Sequence, residues 1–365
     1  MPLSRVKPEH YNTLLAEKVE RVSALFRPFS APEPEVFPSP PEGFRMRAEF
    51  RVWHEGDALD YVMFRPEDRK TPVPLAEFPI ACSRIQLLMP ALMQRLRCEP
   101  LLRRKLFQVE FLGTLAGDTL VTLVYHRRLE DDWEQAATEL ASELDISIVG
   151  RSRKQKRVIG RDFVREKLPI DGRSYHYRQY EQAFTQPNAS VNIAMIEWAC
   201  RQARDLGGDL LELYCGNGNF TLPLSTCFGQ VVATELSKTS VRAARENLDA
   251  NGIDNIEIIR LAAEEVAQAM RGEREFRRLA QLPKPLAEYD LRTVFVDPPR
   301  AGLDQYTVQM VSEFPAVLYI SCNPHTLADN LLTLGETHRV EQFAMFDQFP
   351  YTDHMECGVL LRRKQ

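Results

Sequence analysis

The sequence has neither a long apolar run nor a paired-cysteine motif, and both absences narrow the class of protein. No stretch approaches the roughly 20 apolar residues that a membrane-spanning helix needs. The first ten residues, MPLSRVKPEH, lack the apolar core of a secretory signal. The seven cysteines form no C-x-x-C pair, which indicates free thiols in a reducing compartment and argues against zinc or iron–sulfur sites. We therefore expect a cytoplasmic protein with no membrane contact and no metal.

Internal repeats and low-complexity segments are also lacking. With 365 residues, 44% of them hydrophobic and 27% charged, the chain can form two domains that each have a core. A formal net charge of −5 gives no overall attraction to nucleic acid. However, the segment RSRKQKRVIGR, residues 151–161, contains six cationic and no acidic residues. It is either a solvated loop or a stretch that contacts phosphates.

The residue pattern of the first half predicts helices and an antiparallel sheet. From residue 44 apolar and polar residues alternate, and turns at Gly56-Asp57 and at Ala116-Gly117-Asp118 indicate two hairpins. A proline-rich run at 31–43 predicts an extended connection. The helices are predicted over residues 9–27, 83–105 and 129–143.

One face of the first predicted strand is rich in arginine. It is either an ordinary solvated sheet face or, with nearby aromatic and basic residues, a surface for RNA. Arginine contacts phosphates, and aromatic rings stack on splayed bases. The candidate RNA-binding residues of this half are Arg45, Arg47, Arg51, Phe107, His126, Arg153, Lys154 and Lys156.

After about residue 205, strands alternate with helices, which predicts a parallel sheet with crossover helices. Five strands are predicted over residues 209–214, 230–235, 256–261, 292–297 and 316–321. The last two, HRVEQFAMF and HMECGVLLRR, are joined by only DQFPYTD, which suits an antiparallel pair. Seven strands with the last one reversed resemble the Rossmann-like fold of class I S-adenosylmethionine (SAM) methyltransferases.

Two segments at strand ends predict a nucleoside cofactor. In LELYCGNGNF, Gly216 lies in a tight turn directly after a strand, but Thr221 stands where the third glycine of an NAD fingerprint would be. That substitution argues against an NAD-dependent dehydrogenase. Glu235, at the end of the next strand, can accept hydrogen bonds from ribose hydroxyls. Asp297 of VDPPR follows the fourth strand at the edge where open α/β sheets bind ligands. SAM fits this pattern.

Six motifs make the chain similar to the RNA uracil-5-methyltransferases: FTQPN, LELYCGNGNF, TE, FVDPPR, YISCNP and FPYTDHMECGVLL. The N-terminal RMRAEFRVWH and KLFQVEFL also look like the branch that methylates the T-loop uridine, position 54, of tRNA. The resemblance covers nearly the whole chain. It implies that Cys322 of YISCNP is the nucleophile and Glu356 of HMECG the base. It also places SAM contacts on Gln186, Tyr214, Asn219, Glu235 and Asp297.

The chemistry of uracil agrees with these assignments. Carbon 5 is a poor nucleophile until a thiolate adds at carbon 6, and the proton on carbon 5 must later be removed by a base. Cys322 ends a buried strand, and a helix predicted to begin at Pro324 would favour its thiolate. Taken alone, such a cysteine is more often a core residue. His354 is the rival base, since it lies two residues from Glu356 and so on the same strand face.

VDPPR ends in Arg300 and not in an aromatic residue, which argues against N-methylation. Arg300 is a further RNA-binding candidate.

We therefore expect an α/β chain with an N-terminal α+β antiparallel-sheet RNA-binding domain, residues 1–180, and a SAM-dependent catalytic domain, residues 181–365. The predicted partner is the T-arm of tRNA, with other T-loop-like RNA as further substrates, and the chain is expected to be a monomer. A uridine methyltransferase of rRNA and a tRNA-folding helper with incidental methylation are the alternatives. The rRNA-acting relatives often have an N-terminal β-barrel and an iron–sulfur cysteine set, and this sequence has neither.

Overall fold

Two large β-sheets and a two-stranded ribbon organise the chain in the computed structural model, which describes residues 6–65 and 68–365. Residues 1–5, the start of the stretch examined for a secretory signal, lie outside the described part. Among the described residues, the first unit comprises 6–8, 40–65, 68–167 and 178–189, and the second comprises 9–39, 168–177 and 190–365. Within the described part, every helix is too short or too polar to cross a lipid bilayer.

The α-helices are α1 (Tyr11–Phe26), α2 (Ser83–Cys98), α3 (Pro100–Arg103), α4 (Asp131–Leu144), α5 (Ala189–Ala203), α6 (Thr221–Leu224), α7 (Lys238–Asn251), α8 (Ala263–Met270), α9 (Gln305–Val311) and α10 (Pro324–Thr337). The strands are β1 (Glu35–Phe37), β2 (Arg47–Glu55), β3 (Ala58–Arg65), β4 (Asp68–Pro74), β5 (Leu106–Gly113), β6 (Thr119–Tyr125), β7 (Ser147–Ser152), β8 (Gln155–Ile159), β9 (Phe163–Ile170), β10 (Arg173–Tyr180), β11 (Asp209–Leu213), β12 (Val231–Thr234), β13 (Ile256–Ile259), β14 (Leu291–Val296), β15 (Ala316–Ser321), β16 (His338–Phe346) and β17 (Glu356–Arg363).

The first unit contains a seven-stranded sheet in the order β4-β3-β2-β5-β6-β7-β8. Both predicted hairpins, β2–β3 and β5–β6, are confirmed as antiparallel pairs. The predicted antiparallel sheet is confirmed, and it contains one parallel pair, β6 and β7. Helix α4 connects these two strands, and a crossover helix of this length returns the chain in the parallel direction.

The predicted alternation along β2 is confirmed. Ala48, Phe50 and Val52 are buried, whereas Glu49 and Arg51 are exposed. Phe50 provides much of the contact beneath the sheet, with its ring centroid 5.0 Å from that of Phe78. The arginine-rich side of the strand therefore faces away from the core. The basic segment 151–161 forms the turn and second strand of the β7–β8 hairpin.

The second unit contains an eight-stranded sheet in the order β1-β16-β17-β15-β14-β11-β12-β13. All seven strands predicted for this half are present, and β17 pairs antiparallel with both β15 and β16, which confirms the reversed last strand. The eighth strand, β1, lies in the proline-rich run predicted as a connection. Its Phe37 stacks on Phe346 at 4.8 Å, so three residues between prolines suffice for an edge strand parallel to β16.

Helix α1 belongs to the second unit, although the predicted division placed it in the first domain. Val22 and Phe26 on its apolar face are buried in the hydrophobic core of the second unit. The Phe26 ring lies 4.6 Å from that of Phe343 on β16. Amphipathic spacing predicted the helix but not the surface that it covers. The proposed boundary near residue 180 also differs from the observed division, in which residues 168–177 belong to the second unit.

Gly358 lies on β17, the reversed last strand, and is packed closely against its neighbours. A Cβ atom on Gly358 would lie 2.8 Å from the Trp198 ring and 3.0 Å from Ile320 Cδ1. Gly335 in α10 has no such neighbour within 4 Å, and its φ is not positive. The two glycines therefore provide a matched comparison within one unit.

We predict that Gly358→Ala lowers the free energy of unfolding by about 1–3 kcal/mol, since overpacking a core forces its neighbours to move. Gly335→Ala should leave stability unchanged or raise it by about 0.5–1 kcal/mol, because alanine is the better helix former. Urea denaturation followed by tryptophan fluorescence measures both. Equal effects of the two substitutions would contradict the packing described for Gly358.

Candidate active site

The candidate catalytic side chains meet at one edge of the second sheet. Strands β11, β14 and β15 are mutually parallel, so their carboxyl ends lie on the same edge, and β17 begins there because it runs in the opposite direction. Tyr214, Asp297 and Cys322 follow the ends of β11, β14 and β15, and Glu356 is the first residue of β17. Open α/β sheets bind their ligands at this edge.

The register of β15 and β17 makes Cys322 and Glu356 neighbours. Ser321, the last residue of β15, lies opposite Cys357 in the antiparallel pair, so the residue that follows it, Cys322, lies beside Glu356. Directly opposed residues on adjacent strands have Cβ atoms about 5 Å apart. The proximity is also electrostatic, because a charge on Glu356 raises the pKa of Cys322. The two residues that the sequence assigned as nucleophile and base are therefore brought together.

The surroundings of Cys322 favour the protonated form of its thiol. Its pKa is raised to about 12 by burial and then by the carboxyl groups of Glu356 and Asp297, while the guanidinium of Arg300 opposes them. A helix does begin at Pro324, with Asn323 as its N-cap, as predicted. The prediction that this helix favours the thiolate stays a prediction, and burial and the two carboxyl groups act in the opposite direction.

Glu356 is buried and lies in a setting that favours its neutral form. Burial raises the pKa of its carboxyl well above the usual range, and a charge on Asp297 raises it further. A carboxyl whose pKa is raised toward neutrality suits a group that must take up a proton and release it during turnover.

His354 does not share the strand face of Glu356. It is exposed and precedes β17, so the prediction that both residues project from one face is wrong. Its Nδ1 lies 3.2 Å from a terminal nitrogen of Arg300. Partial desolvation and the charge of Arg300 lower the pKa of His354, so its Nδ1 is an acceptor for the guanidinium. This contact occupies the ring nitrogen that would otherwise take a proton at that position.

The glycine turn after β11 and the carboxylate after β12 form a second cluster. Gly216 and Gly218 have φ values of 56° and 87°, and Tyr214, which is not a glycine, has 61°. Glu235 accepts hydrogen bonds from the backbone N–H of Gly216 at 3.1 Å and of Ser237 at 2.7 Å. The carboxylate is thus fixed beside the turn, with lone pairs left for a ligand's hydroxyl groups.

Asn219 is held by a residue that the sequence did not indicate. Its side-chain amide and that of Asn192 on α5 exchange two hydrogen bonds, at 2.8 and 2.9 Å. The hydroxyl of Tyr177 donates to the Asn219 carbonyl at 3.1 Å. Asn192 lies 27 positions from Asn219 and carries no motif, so only its burial in the folded chain reveals the pair. Gln186 belongs to the first unit, and its role in binding SAM stays a prediction.

The RNA-binding candidates of the first unit fall into two sets. Arg51, Phe107 and His126 form a continuous stack, with the Arg51 guanidinium 3.5 Å from the Phe107 ring and the Phe107 and His126 rings 4.0 Å apart. Arg47, in contrast, donates to the backbone carbonyl groups of Ala183 and Glu181. The Arg45 Nε likewise donates to a backbone carbonyl, that of Arg47.

The basic residues of the β7–β8 hairpin also differ in their contacts. Lys156 is paired with Asp162 at 2.8 Å, whereas Arg153 lines an open groove of about 710 Å³ with His126. Lys154 occupies the hairpin turn with a φ of 58°. The other basic residues that line the groove are Arg127, Arg128 and Arg151.

A family model of tRNA (uracil-5-)-methyltransferases matches residues 10–364. The chain belongs to this family. A tRNA/tmRNA (uracil-C(5))-methyltransferase of Azotobacter vinelandii is 56% identical over 364 residues, which cover 100% of both chains. One of Aromatoleum aromaticum is 52% identical over 364 residues, covering 100% of this chain and 98% of the relative.

A solved structure shows the same fold. The Pyrococcus abyssi tRNA (uracil-54, C5)-methyltransferase, in complex with S-adenosyl-L-homocysteine, superimposes with a TM-score of 0.72 over 96% of this chain and 83% of that one, at 23% identity. The predicted fold class is confirmed, as is the predicted reaction, the SAM-dependent methylation of uracil carbon 5 in tRNA. Membership of this family excludes the dehydrogenase alternative.

One buried carboxyl of this tRNA methyltransferase was not indicated by the sequence. Glu212 on β11 is 1% exposed, and its Oε2 has no hydrogen-bond partner in the described structure. Burial raises the pKa of Glu212 from 4.5 to about 8, and the charge of Asp297 contributes. A group with a raised pKa stabilises the fold only while it stays protonated.

We predict that Glu212→Gln flattens the pH dependence of stability in the absence of SAM. The contribution from neutral Glu212 is complete below about pH 4.5 and is lost as the pH rises through about 8. A shift of this size corresponds to at most roughly 5 kcal/mol. Urea denaturation between pH 5 and 8.5 should show a shallower slope for the variant. The exposed Glu288 provides the control Glu288→Gln, and equal slopes for all three proteins would contradict the role of burial.

Proposed function

We propose that the chain methylates carbon 5 of the T-loop uridine, position 54, of tRNA in the cytoplasm, acting as a monomer with Cys322 as nucleophile and Glu356 as base. The observation that carries this proposal is the pairing of β15 with β17, which makes these two side chains neighbours. The relatives named above as acting on tRNA and tmRNA, and the structural neighbour named for uracil 54, support the substrate. Methyl transfer to isolated tRNA but not to isolated rRNA tests the RNA class.

The residues after β11 and β12 fit SAM. Because a side chain at Gly216 would meet nothing within 4 Å, there is room for a ligand against its backbone. Glu235 would hold the ribose hydroxyl groups, and Asp297, with a pKa raised to about 7 by burial, offers a carboxyl for the cationic methionyl part. We assign Tyr214 and Asn219 to the same ligand. When bound, SAM supplies an electrophilic methyl group.

Cys322 activates the uracil ring that receives this methyl group. Its thiolate forms a bond to carbon 6 of uracil, and the electron pair of the 5,6 double bond moves toward the carbonyl oxygen on carbon 4. Carbon 5 thereby becomes a nucleophile. Since the thiol pKa is raised, the sulfur must first give up its proton to solvent, and the positive charge of Arg300 is the larger of the local effects that favour this loss.

Glu356 completes the reaction. Its carboxylate takes the proton from carbon 5, the electron pair of that C–H bond restores the double bond, and the bond between sulfur and carbon 6 breaks with its electron pair returning to sulfur. The proton then leaves for solvent. Arg300 also lowers the pKa of Glu356 and so favours the ionised form that this step needs.

We predict different failures for the two residues. Cys322→Ala should form no covalent complex with 5-fluorouracil-substituted tRNA, because no sulfur is available for carbon 6. Glu356→Gln should add and methylate but release slowly, with turnover reduced by roughly 10²- to 10⁴-fold. A covalent protein–RNA complex should then accumulate with ordinary tRNA. Denaturing gels with labelled tRNA measure both outcomes.

Two variants control this experiment. Cys98 is an exposed thiol, so Cys98→Ala should behave like the unaltered protein. His354→Gln tests the rival base: accumulation of the complex in this variant, with normal turnover of Glu356→Gln, would transfer the role to His354. Persistence of the fluorouracil complex in Cys322→Ala would show that another nucleophile acts.

We further propose that the first unit binds the T-arm through the stack and the basic groove. A guanidinium on an aromatic ring, with an imidazole on its other side, offers stacking partners to unpaired bases. Arg127, Arg128 and Arg153 bring positive charge to the neighbouring groove. The hydrogen bonds of Arg45 and Arg47 to backbone carbonyl groups favour a structural role for both residues.

We predict that Arg153→Gln with Lys154→Gln weakens tRNA binding. The salt dependence of log K should fall by about 0.7–0.9 for each phosphate that the double variant no longer neutralises. Arg157→Gln is the matched control, because Arg157 is already paired with Asp131 at 2.9 Å. Filter binding at several salt concentrations gives the slopes. An unaltered slope in the double variant would remove the β7–β8 turn from the RNA-binding surface.

A further inference from the structure

A buried lysine connects the N-terminal helix with the loop that precedes Glu356. Lys18 on α1 is 4% exposed, and its ammonium group is 2.6 Å from Asp347 Oδ1, 3.2 Å from the carbonyl of Phe349 and 3.1 Å from the carbonyl of His354. A lysine has three N–H donors, so every donor has a partner. The mechanism proposed above does not use this group.

Both carboxylate oxygens of Asp347 also have hydrogen-bond partners. It is 1% exposed, and its second carboxylate oxygen accepts a hydrogen bond from the hydroxyl of Tyr11 at 2.9 Å. The same hydroxyl accepts a hydrogen bond from the backbone N–H of Ser39 at 2.7 Å. Burial, with the charge of Asp347, raises the pKa of Tyr11, so this hydroxyl remains a donor. The ion pair therefore lies within a closed set of hydrogen bonds.

The acceptors of Lys18 are spread along the whole loop between β16 and β17. Asp347 directly follows β16, Phe349 lies inside the loop, and His354 stands two residues before Glu356 at the start of β17. The loop also contains Tyr351 in the left-handed region with a φ of 62°, a conformation that surrounding contacts must maintain. One cation thus fixes the beginning, the middle and the end of the loop.

Neutralising Asp347 requires one contact, so the two carbonyl contacts need another explanation. They hold the backbone that leads into Glu356. They also set the position of His354, whose ring meets Arg300, the cation that lowers the pKa of both Cys322 and Glu356. Displacement of this loop would alter the position of the carboxylate and of the nearby positive charge together.

We infer that Lys18 is a positioning residue for Glu356: it holds the loop 347–355 so that the carboxylate faces carbon 5 of the uracil bound to Cys322. The inference rests on the role proposed for Glu356. Because Lys18 lies behind the loop and not at the reacting atoms, its loss should slow the release step while leaving thiol addition and SAM binding largely intact.

The test compares Lys18→Met with the double variant Lys18→Met/Asp347→Asn. The single variant leaves Asp347 buried without a cation and is expected to lose stability. The double variant removes both charges and keeps an oxygen for the Tyr11 hydroxyl, so its Tm should recover toward that of the unaltered protein. Lys238→Met, at an exposed lysine of the same unit, is the control.

The decisive readout is the fraction of protein trapped on tRNA. In the double variant we expect kcat to fall by roughly 10-fold or more, up to the 10²- to 10⁴-fold that a well-placed base contributes. The KM for SAM should change little, and a methylated covalent protein–tRNA complex should accumulate on denaturing gels as it does in Glu356→Gln. A purely structural lysine would lower Tm without this accumulation.

The outcomes separate the two proposals. A double variant with recovered Tm, normal kcat and no trapped complex would show that Lys18 only neutralises Asp347. Absence of the trapped complex in Glu356→Gln would instead overturn the role of Glu356. If the double variant does not fold, Lys18→Gln/Asp347→Asn decides, because the shorter neutral amide has two N–H donors and cannot keep all three contacts of Lys18. A partly trapped complex supports the inference, and normal release opposes it.

Discussion

The hydrogen-bonded register between β15 and β17 is the constraint on which the catalytic arrangement depends. It brings the residue after Ser321 beside the residue before Cys357, and these are the thiol and the carboxyl. A slip of one residue would turn Glu356 to the opposite face of the sheet. Pairing with β16 on the other side and the tight fit of Gly358 against Trp198 resist such a slip. The chemistry therefore depends on packing several residues away from the reacting atoms.

The same edge of the sheet concentrates carboxyl groups where water is scarce. Burial raises the pKa of Glu212, Asp297 and Glu356, and with them that of the Cys322 thiol. Neutral forms reduce the desolvation cost of burying these groups. The reaction needs the ionised forms of sulfur and base, so the protonation state that suits the fold is one that cannot react. Arg300, which favours ionisation of both Cys322 and Glu356, opposes this effect of burial.

The sequence predicted what local signals encode. Apolar runs ending at Asn323-Pro324 or at DQFPYTD define strand ends, so the residue pattern placed Cys322 at the end of one strand and Glu356 near the start of another, while the family resemblance implied their roles. The short connection before the last strand also predicted its reversed direction. Charge pattern could not separate Arg51, which stacks in solvent, from Arg47, which binds backbone carbonyl groups inside its unit. Both lie on the polar face of one strand, and only tertiary contacts distinguish them.

Contacts between residues that are distant in sequence could not be predicted from local patterns. Lys18 and Asp347 are separated by 329 positions, and neither belongs to a motif that suggests the other. A lysine on a helix is normally solvated, and an aspartate in a turn is normally exposed, so neither residue type indicates a buried ion pair.

Stability alone does not account for the Lys18–Asp347 pair, because a buried ion pair is often no more stabilising than apolar residues of similar volume. Geometry does account for it. An apolar side chain could fill the space of Lys18, but it could not bond to the carbonyl groups of Phe349 and His354, and these bonds are what determine the path of the chain into Glu356. A buried charge at this place is therefore explained by the direction of its hydrogen bonds and not by the strength of its attraction.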